Sequence, residues 1–203
     1  MFRALKVMLR AIVQFERYSW LYIVCNLLAV LISLPIVTAP AAFAGLTRLS
    51  HAAQRGPSSD YSEFWSGVRE NLWRGIFIGC VNVVIFVVLW VNLTSYSMRI
   101  DPLFVMLGAV WLTVLVVWPA LQLYLWPILE EMEKPNLRDG FRNAAVMASQ
   151  NIGFTIVLVI GLGIVVVLST VLFVPWLLLT GSLIACVANA AVIEQLDTFR
   201  QHA

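Results

Sequence analysis

Charge is what this sequence has least of. Only 12% of its 203 residues are charged, whereas 61% are hydrophobic, and the mean hydropathy is +0.89. Because soluble domains carry roughly 25% charged residues, the composition excludes an ordinary soluble domain. The length leaves room for one membrane domain over residues 1–203 and for no separate soluble domain.

Residues that carry chemistry are equally scarce. The two histidines, His51 and His202, lie outside the apolar runs, and there is no HExxH motif. The three cysteines lie within apolar runs without CxxC spacing, which favours buried small hydrophobes over a metal or redox site. Glu130, Glu131 and Glu133 are interpreted as a solvated helix end rather than a metal site. We therefore expect no enzyme, no catalytic residue, no metal and no cofactor.

Asp, Glu, Lys and Arg are absent from several long segments. The run over residues 18–47 is too long and apolar for a soluble core helix, and it meets the length requirement for crossing a bilayer. The run over residues 143–193 is too long for one crossing, so it must hold two spans that separate at Pro175. The sequence predicts an all-α polytopic membrane protein with five transmembrane helices, at about 20–46, 72–94, 102–129, 149–173 and 176–192.

Three amphipathic helices are predicted beside these spans. Residues 1–17 place basic side chains on one stripe and apolar side chains opposite, as in a helix that lies in the membrane interface. Two short helices are predicted to begin at Asp60 and at Asn136, and we expect both on the cytoplasmic side.

The distribution of basic residues predicts the orientation. With the N-terminus outside and the C-terminus cytoplasmic, eight basic residues lie inside and five outside, so this layout agrees with the positive-inside rule. A first span that folds back at Pro35 would instead place twelve on one side, with Arg99 alone on the other. Its two arms would be too short to cross cleanly, so the N-out layout is preferred.

A weak internal repeat fits this layout. Pro40 pairs with Pro119 and Asn71 with Asn151, at offsets of 79 and 80 residues. Each half would consist of a span, a cytoplasmic helix and a second span, as in the parallel repeats of some transporters.

Small residues at helical spacing predict two packing seams. Such stripes let helices approach closely, and an amide on the same face adds an interhelical hydrogen bond. The seams consist of Gly75, Gly79 and Asn82 in the second span, and of Gly181, Ala185 and Asn189 in the fifth.

The third span carries the best candidate for a ligand-binding face. No ionisable residue lies at the centre of a span, which disfavours proton-coupled pumps and voltage sensors. Trp111, Trp118, Gln122 and Trp126 share one helical face, where aromatic rings and an amide could bind a sugar-like or lipid-headgroup ligand. The alternative is that this face packs within the bundle, or that Trp126 anchors at the interface.

Three stretches carry a family resemblance. They are Asn26-Leu-Leu with Leu34-Pro-Ile-Val-Thr38, then Phe64-Trp-Ser-Gly-Val-Arg-Glu-Asn71, then Trp126-Pro-Ile-Leu129 with Phe141-Arg-Asn-Ala144. In this order they resemble the YesL-like family of bacterial integral membrane proteins, whose molecular function is not established. The resemblance implies a five-span bundle in the bacterial cytoplasmic (inner) membrane and an accessory role beside carbohydrate uptake. Ala29 stands where the family has Trp, and Glu130-Glu131 where it tends to be basic.

Two functions follow as expectations. The first is a non-enzymatic accessory or scaffolding subunit that associates with other membrane proteins or with its own copies, linked to carbohydrate uptake through the resemblance. The second is a small transporter for a neutral solute. Both have the lipid bilayer as a partner, and neither involves nucleic acid, because the net charge is only +2 and the basic residues lie in loops and tails.

Overall fold

The computed structural model of the chain describes residues 2–56, 59–97 and 101–202. These residues form helices and no strands, which confirms the predicted all-α class. A π-helical turn at Trp176–Thr180 leads directly into the last helix. The helices are α1 (Phe2–Arg17), α2 (Ser19–Ile32), α3 (Ala39–Arg55), α4 (Tyr61–Glu70), α5 (Leu72–Ser97), α6 (Pro102–Glu130), α7 (Leu137–Gln150), α8 (Ile152–Leu172) and α9 (Gly181–His202).

Four helical segments of the described chain are long and apolar enough to cross a membrane. They are Leu72–Tyr96, Pro102–Glu130, Ile152–Leu172 and Trp176–Arg200, and each coincides with one of the last four predicted spans. A fifth exists only if α1 and α2, which meet at a bend of 95°, are counted together. The chain is therefore a polytopic membrane protein.

The predicted first span, 20–46, is corrected by the structure, because two antiparallel helices occupy it. Residues 33–38 interrupt the helix, and Ile36 has a φ of 59°, a value that a β-branched residue rarely adopts. Buried side chains of α2 and α3 share one core, and Gln14 at the end of α1 donates to the Ala53 carbonyl at 2.7 Å. The end of α3 thus lies near the start of α2. Pro35 and Pro40 favour the break because each removes a backbone donor.

Helix α1 packs across the bundle at this same end. Its small residues Ala4 and Ala11 are fully buried, and the Cys186 thiol donates to the Ala11 carbonyl at 3.3 Å. Arg10 lies 3.4 Å from Glu194, near the end of α9. The first and last helices therefore meet, whereas the predicted layout placed the two termini on opposite sides.

We call the charged end the end that contains α1, α4, α7, the second half of α3, the first turn of α5, the loop over residues 131–136 and the final turns of α9. Twelve of the thirteen basic residues belong to segments at this end, and the thirteenth, Arg99, lies outside the described residues. The fold matches the re-entrant alternative in this respect. The two arms of that alternative, α2 and α3, are too short to cross the bilayer, but they need not cross it because the α2–α3 hairpin packs on other helices.

Helices α4 and α7 begin where the sequence predicts. The Asp60 carboxylate accepts a hydrogen bond from the Tyr61 N–H at 2.7 Å, and the Asn136 side chain accepts one from the Arg138 N–H at 3.1 Å. Both helices bury an apolar face, with Phe64 in α4 fully covered. They lie against the charged-end turns of α3 and α6.

The order of helices resembles the predicted repeat, except that the first unit starts with the short helix α3 instead of a span. Each unit is a helix, an amphipathic helix and a membrane-crossing helix, first α3–α4–α5 and then α6–α7–α8. The break before each crossing helix falls at an asparagine, Asn71 or Asn151. In both, the asparagine carbonyl accepts a hydrogen bond from the N–H four residues later, at 2.7 and 2.9 Å.

Candidate functional site

The first predicted seam lies where the hairpin tip meets α5. A Cβ added at Gly75 would stand 2.5 Å from the Ala41 Cβ, and one at Gly79 would stand 2.0 Å from the Val37 carbonyl oxygen. No side chain fits at those distances. The two glycines therefore allow the chain of residues 37–41 to rest directly on α5.

A second contact joins the hairpin to the start of α9. The Asn26 side-chain amide donates to the carbonyls of Trp176 and Leu177 at 3.0 and 2.8 Å, and its oxygen accepts from the Ser182 N–H at 2.9 Å. A Cβ at Gly181 would lie 2.8 Å from the same oxygen. Asn26 thus satisfies backbone groups of the π-helical turn, which have different partners from those in a regular α-helix.

The other members of the second seam lie deeper along α9. Ala185 and Asn189 are fully buried. The Asn189 amide donates to the Thr47 carbonyl at 2.9 Å and to the Ala185 carbonyl at 3.0 Å. This face of α9 therefore holds α3 in place.

Asn82, which the sequence assigned to the first seam, belongs instead to a pair with α6. Its side-chain oxygen accepts hydrogen bonds from Trp118 Nε1 and Gln122 Nε2, both at 2.8 Å, and its amide donates to Gln122 Oε1 at 3.1 Å. The prediction missed this pairing because it treated each span alone. Folding α5 and α6 about their short connection already places Asn82 opposite the segment 118–122.

The predicted ligand face does not act as one surface. Trp118 also stacks on Phe141, with ring centroids 5.6 Å apart. Trp126 is only 3% exposed and packs with buried residues that include Ala44. Trp111 is half-buried and lies two turns nearer the start of α6. Trp118 and Gln122 are thus brought together, Trp126 is in the core, and Trp111 stands apart.

Beside the amide pair lies an apolar cleft of about 460 Å³. It separates α6 from α8 and α9, and the start of α3 closes its floor. Asn82 and Gln122 supply the polar side chains of its lining. Such a cleft can hold an apolar group and offer it a single hydrogen-bonding position. Its apolar walls include Pro40, Phe43, Pro119, Leu123, Leu162 and Ile184.

The charged end contains a separate polar cavity of about 370 Å³. The Arg48 guanidinium reaches both Glu63 (3.4 Å) and Glu70. Arg74 donates to the Asn71 side chain and to the Pro135 carbonyl, both at 3.0 Å. These ion pairs and hydrogen bonds join α3, α4, the start of α5 and the loop over residues 131–136.

Glu131 is not the solvated residue that the sequence predicts. Its side chain is 14% exposed, and Oε1 accepts hydrogen bonds from Arg55 Nη2 at 2.8 Å and His51 Nε2 at 3.1 Å. Arg200 Nη2 lies 4.0 Å from Oε2. Burial alone would raise the pKa of Glu131, but the hydrogen bonds from Arg55 and His51 outweigh it and lower the pKa. An ionised Glu131 thus joins α3, α6 and α9.

Comparison with known proteins gives one partial match. A family model described as "Protein of unknown function, DUF624" matches residues 20–93, which cover the α2–α3 hairpin, α4 and most of α5. No curated protein and no solved structure matches the chain. The chain is therefore similar to an uncharacterised family over this segment.

Proposed function

We propose that this chain is a non-enzymatic integral membrane subunit that associates with other membrane proteins. The observation that carries the proposal is the large free surface of the α5–α6 hairpin. Its outer parts bear apolar side chains that are each more than half exposed and cover several sides of both helices. Among them are Val84, Phe86, Trp90, Val105, Val110 and Val116.

Small residues on α6 add support for a helical partner. A Cβ at Gly108 would meet nothing within 4 Å, and the neighbouring Ala109 and Thr113 are exposed. A glycine inside a helix is destabilising by roughly 0.5–1 kcal/mol relative to Ala, so its presence there calls for a compensating contact. Because lipid tails give helices no hydrophobic reason to associate, small residues that permit close packing are the usual contact in membranes.

The charged end supports an orientation with both termini in the cytoplasm. Four crossings by α5, α6, α8 and α9, with the α2–α3 hairpin returning to its own side, leave the two termini on one face. The basic residues concentrated there make that face cytoplasmic under the positive-inside rule. With the resemblance to YesL-like proteins, this layout favours the cytoplasmic membrane of a bacterium and a carbohydrate transporter as the partner.

The proposal is tested by native mass spectrometry of the tagged chain, extracted gently from its own membranes. We expect the wild-type chain to retain a stoichiometric partner. The Gly108→Leu variant should lose it, because the larger side chain keeps a partner helix from packing closely on α6. Met106→Leu, an exposed position on the same helix, is the matched control and should retain the partner. A wild-type chain that is always recovered alone, or a Gly108→Leu variant that keeps its partner, would contradict the proposal.

A second function, a small transporter for a neutral solute, is supported by the apolar cleft with its amide pair. The cleft is lined by α3 and α5 of the first unit and by α6 and α8 of the second, and transporter sites commonly lie between repeated units. Replacing both amides (Asn82→Leu with Gln122→Leu) removes the two polar partners together and leaves only the half-buried Trp118 Nε1–H without its acceptor, so the fold should lose about 1 kcal/mol and survive. Solute uptake into vesicles should then fall, and unchanged uptake across a panel of neutral solutes would exclude this function.

A further inference from the structure

Helix α1 has three distinct faces. Ala4, Val7 and Ala11 form the face that is buried against α8 and α9. A second face bears large apolar side chains that are about half exposed or more: Leu5, Leu9, Ile12 and Val13. The third is a basic stripe that contains Lys6, Arg10 and Arg17. The helix is therefore anchored by small residues and keeps both its apolar and its basic face free.

The basic stripe forms one wall of a groove of about 520 Å³ between α1 and the end of α3. Gln14 and Ala53 both line the groove, and the hydrogen bond from the Gln14 amide to the Ala53 carbonyl joins α1 to α3 there. The Arg17 guanidinium lies 5.9 Å from the ring centroid of Tyr18, which places this cation at one end of the groove. Leu9 and Val13 line the same groove.

Positive charge in the groove exceeds the negative charge beside it. Arg10 is paired with Glu194 at 3.4 Å. Lys6 and Arg17 form no ion pair with any residue that the structure describes. The lining of the groove thus contains three cations and no carboxylate, and only Arg10 is paired. The groove therefore has a surplus of two positive charges. The exposed apolar face of α1 beside it would place the groove at the membrane surface.

We propose that this groove binds the phosphate headgroup of an anionic phospholipid. An arginine guanidinium can bind two phosphate oxygens at once, and Lys6 adds a second point charge. Leu9 and Val13 continue from the groove into the exposed apolar face, so an acyl chain can leave the headgroup along α1. This continuity selects a lipid over a free phosphate ion. The inference concerns α1 and does not depend on the proposed partner of α6.

Lipid retention by the purified full-length chain tests the proposal. Native mass spectrometry would compare phosphatidylglycerol with phosphatidylcholine of the same acyl chains, and we expect the wild-type chain to retain the anionic lipid preferentially. Replacing Lys6 and Arg17 together by Gln should weaken that retention roughly tenfold or more, because each cation near the surface contributes about 1 kcal/mol. The paired change Arg138→Gln with Arg142→Gln on exposed positions of α7 is the control and should leave it unchanged.

Three results would overturn the proposal. One is equal retention of both lipids by the wild-type chain. Another is an equal loss in the α7 control, which would mean that net charge alone attracts the lipid. The third is displacement of phosphatidylglycerol by inorganic phosphate as readily as by a soluble short-chain phosphatidylglycerol, which would make the groove a general anion site. Should the Gln variant aggregate, Lys6→Arg with Arg17→Lys keeps both charges and must retain the lipid.

Discussion

Single residues determine how closely the α2–α3 hairpin approaches the rest of the bundle. Gly79 is the clearest case, because its Cα lies against the Val37 backbone with no room for a Cβ. The sequence predicted a packing role for Gly79 from GxxxG spacing, but it did not show that the partner is the hairpin tip. The hairpin tip exists only because the first predicted span is interrupted at residues 33–38. The geometry of that interruption depends on contacts with residues that are distant in the sequence.

Gly79→Ala should destabilise the fold by about 1–3 kcal/mol, since the new methyl group must displace backbone rather than a flexible side chain. The measurement is the thermal unfolding midpoint in detergent. Gly153→Ala is the matched control, because a Cβ there meets nothing within 4 Å. Equal midpoints for the two variants would mean that residues 37–41 do not rest on α5.

Glu131 should make stability depend on pH in a defined direction. Its pKa in the folded chain lies below its ordinary value of 4.5, so the unfolded chain binds more protons near that value. The stabilisation is therefore present above the ordinary pKa and is lost as the pH falls through the folded value. Glu131→Gln should lose stability at neutral pH and show a weaker acid dependence. Glu133→Gln, at an exposed position, should behave as the wild type; identical acid profiles for all three chains would contradict this role.

At the scale of elements, most helices follow from the sequence. Long charge-free runs predicted the crossings by α5, α6, α8 and α9, and capping residues predicted the starts of α4 and α7. The path of residues 20–46 did not follow, because apolar composition is the same for a crossing helix and for a hairpin buried among other helices. The hairpin is distinguished from a crossing helix by two contacts, that of Asn26 with the start of α9 and that of Val37 with Gly79. Both contacts join segments that are far apart in the sequence.

A cross-linking experiment tests the hairpin. Cysteines at Gln14 and Ala53 should be joined efficiently by a short bifunctional reagent, because the Gln14 side chain contacts the Ala53 carbonyl. Cysteines at Gln14 and Asp101 serve as the control and should not be joined. If residues 20–46 formed one crossing helix, Gln14 and Ala53 would lie on opposite sides of the membrane, and the first pair would fail as well.

At the scale of the whole molecule, the distribution of basic residues agrees with the proposed course of the chain through the bilayer when residues 20–46 form a hairpin. The N-out prediction rested on a count of eight basic residues against five, a small excess obtained by letting residues 20–46 cross. In the proposed layout the hairpin returns to its own side, and twelve of the thirteen basic residues then lie at one end. The amphipathic helices α1, α4 and α7 lie there together, and this common face is what a cytoplasmic partner or an anionic leaflet would contact.

The most direct test is the labelling of single cysteines with a membrane-impermeant maleimide, in intact cells and in inverted membrane vesicles. Arg3→Cys and Gln150→Cys mark the charged end and Asp101→Cys the opposite end, and all three positions are exposed. The unsubstituted chain gives the background from its own cysteines. We predict that only Asp101→Cys is labelled in intact cells and that Arg3→Cys and Gln150→Cys are labelled only in inverted vesicles. Labelling of Arg3→Cys together with Asp101→Cys in intact cells would contradict the re-entrant hairpin and the shared location of the termini.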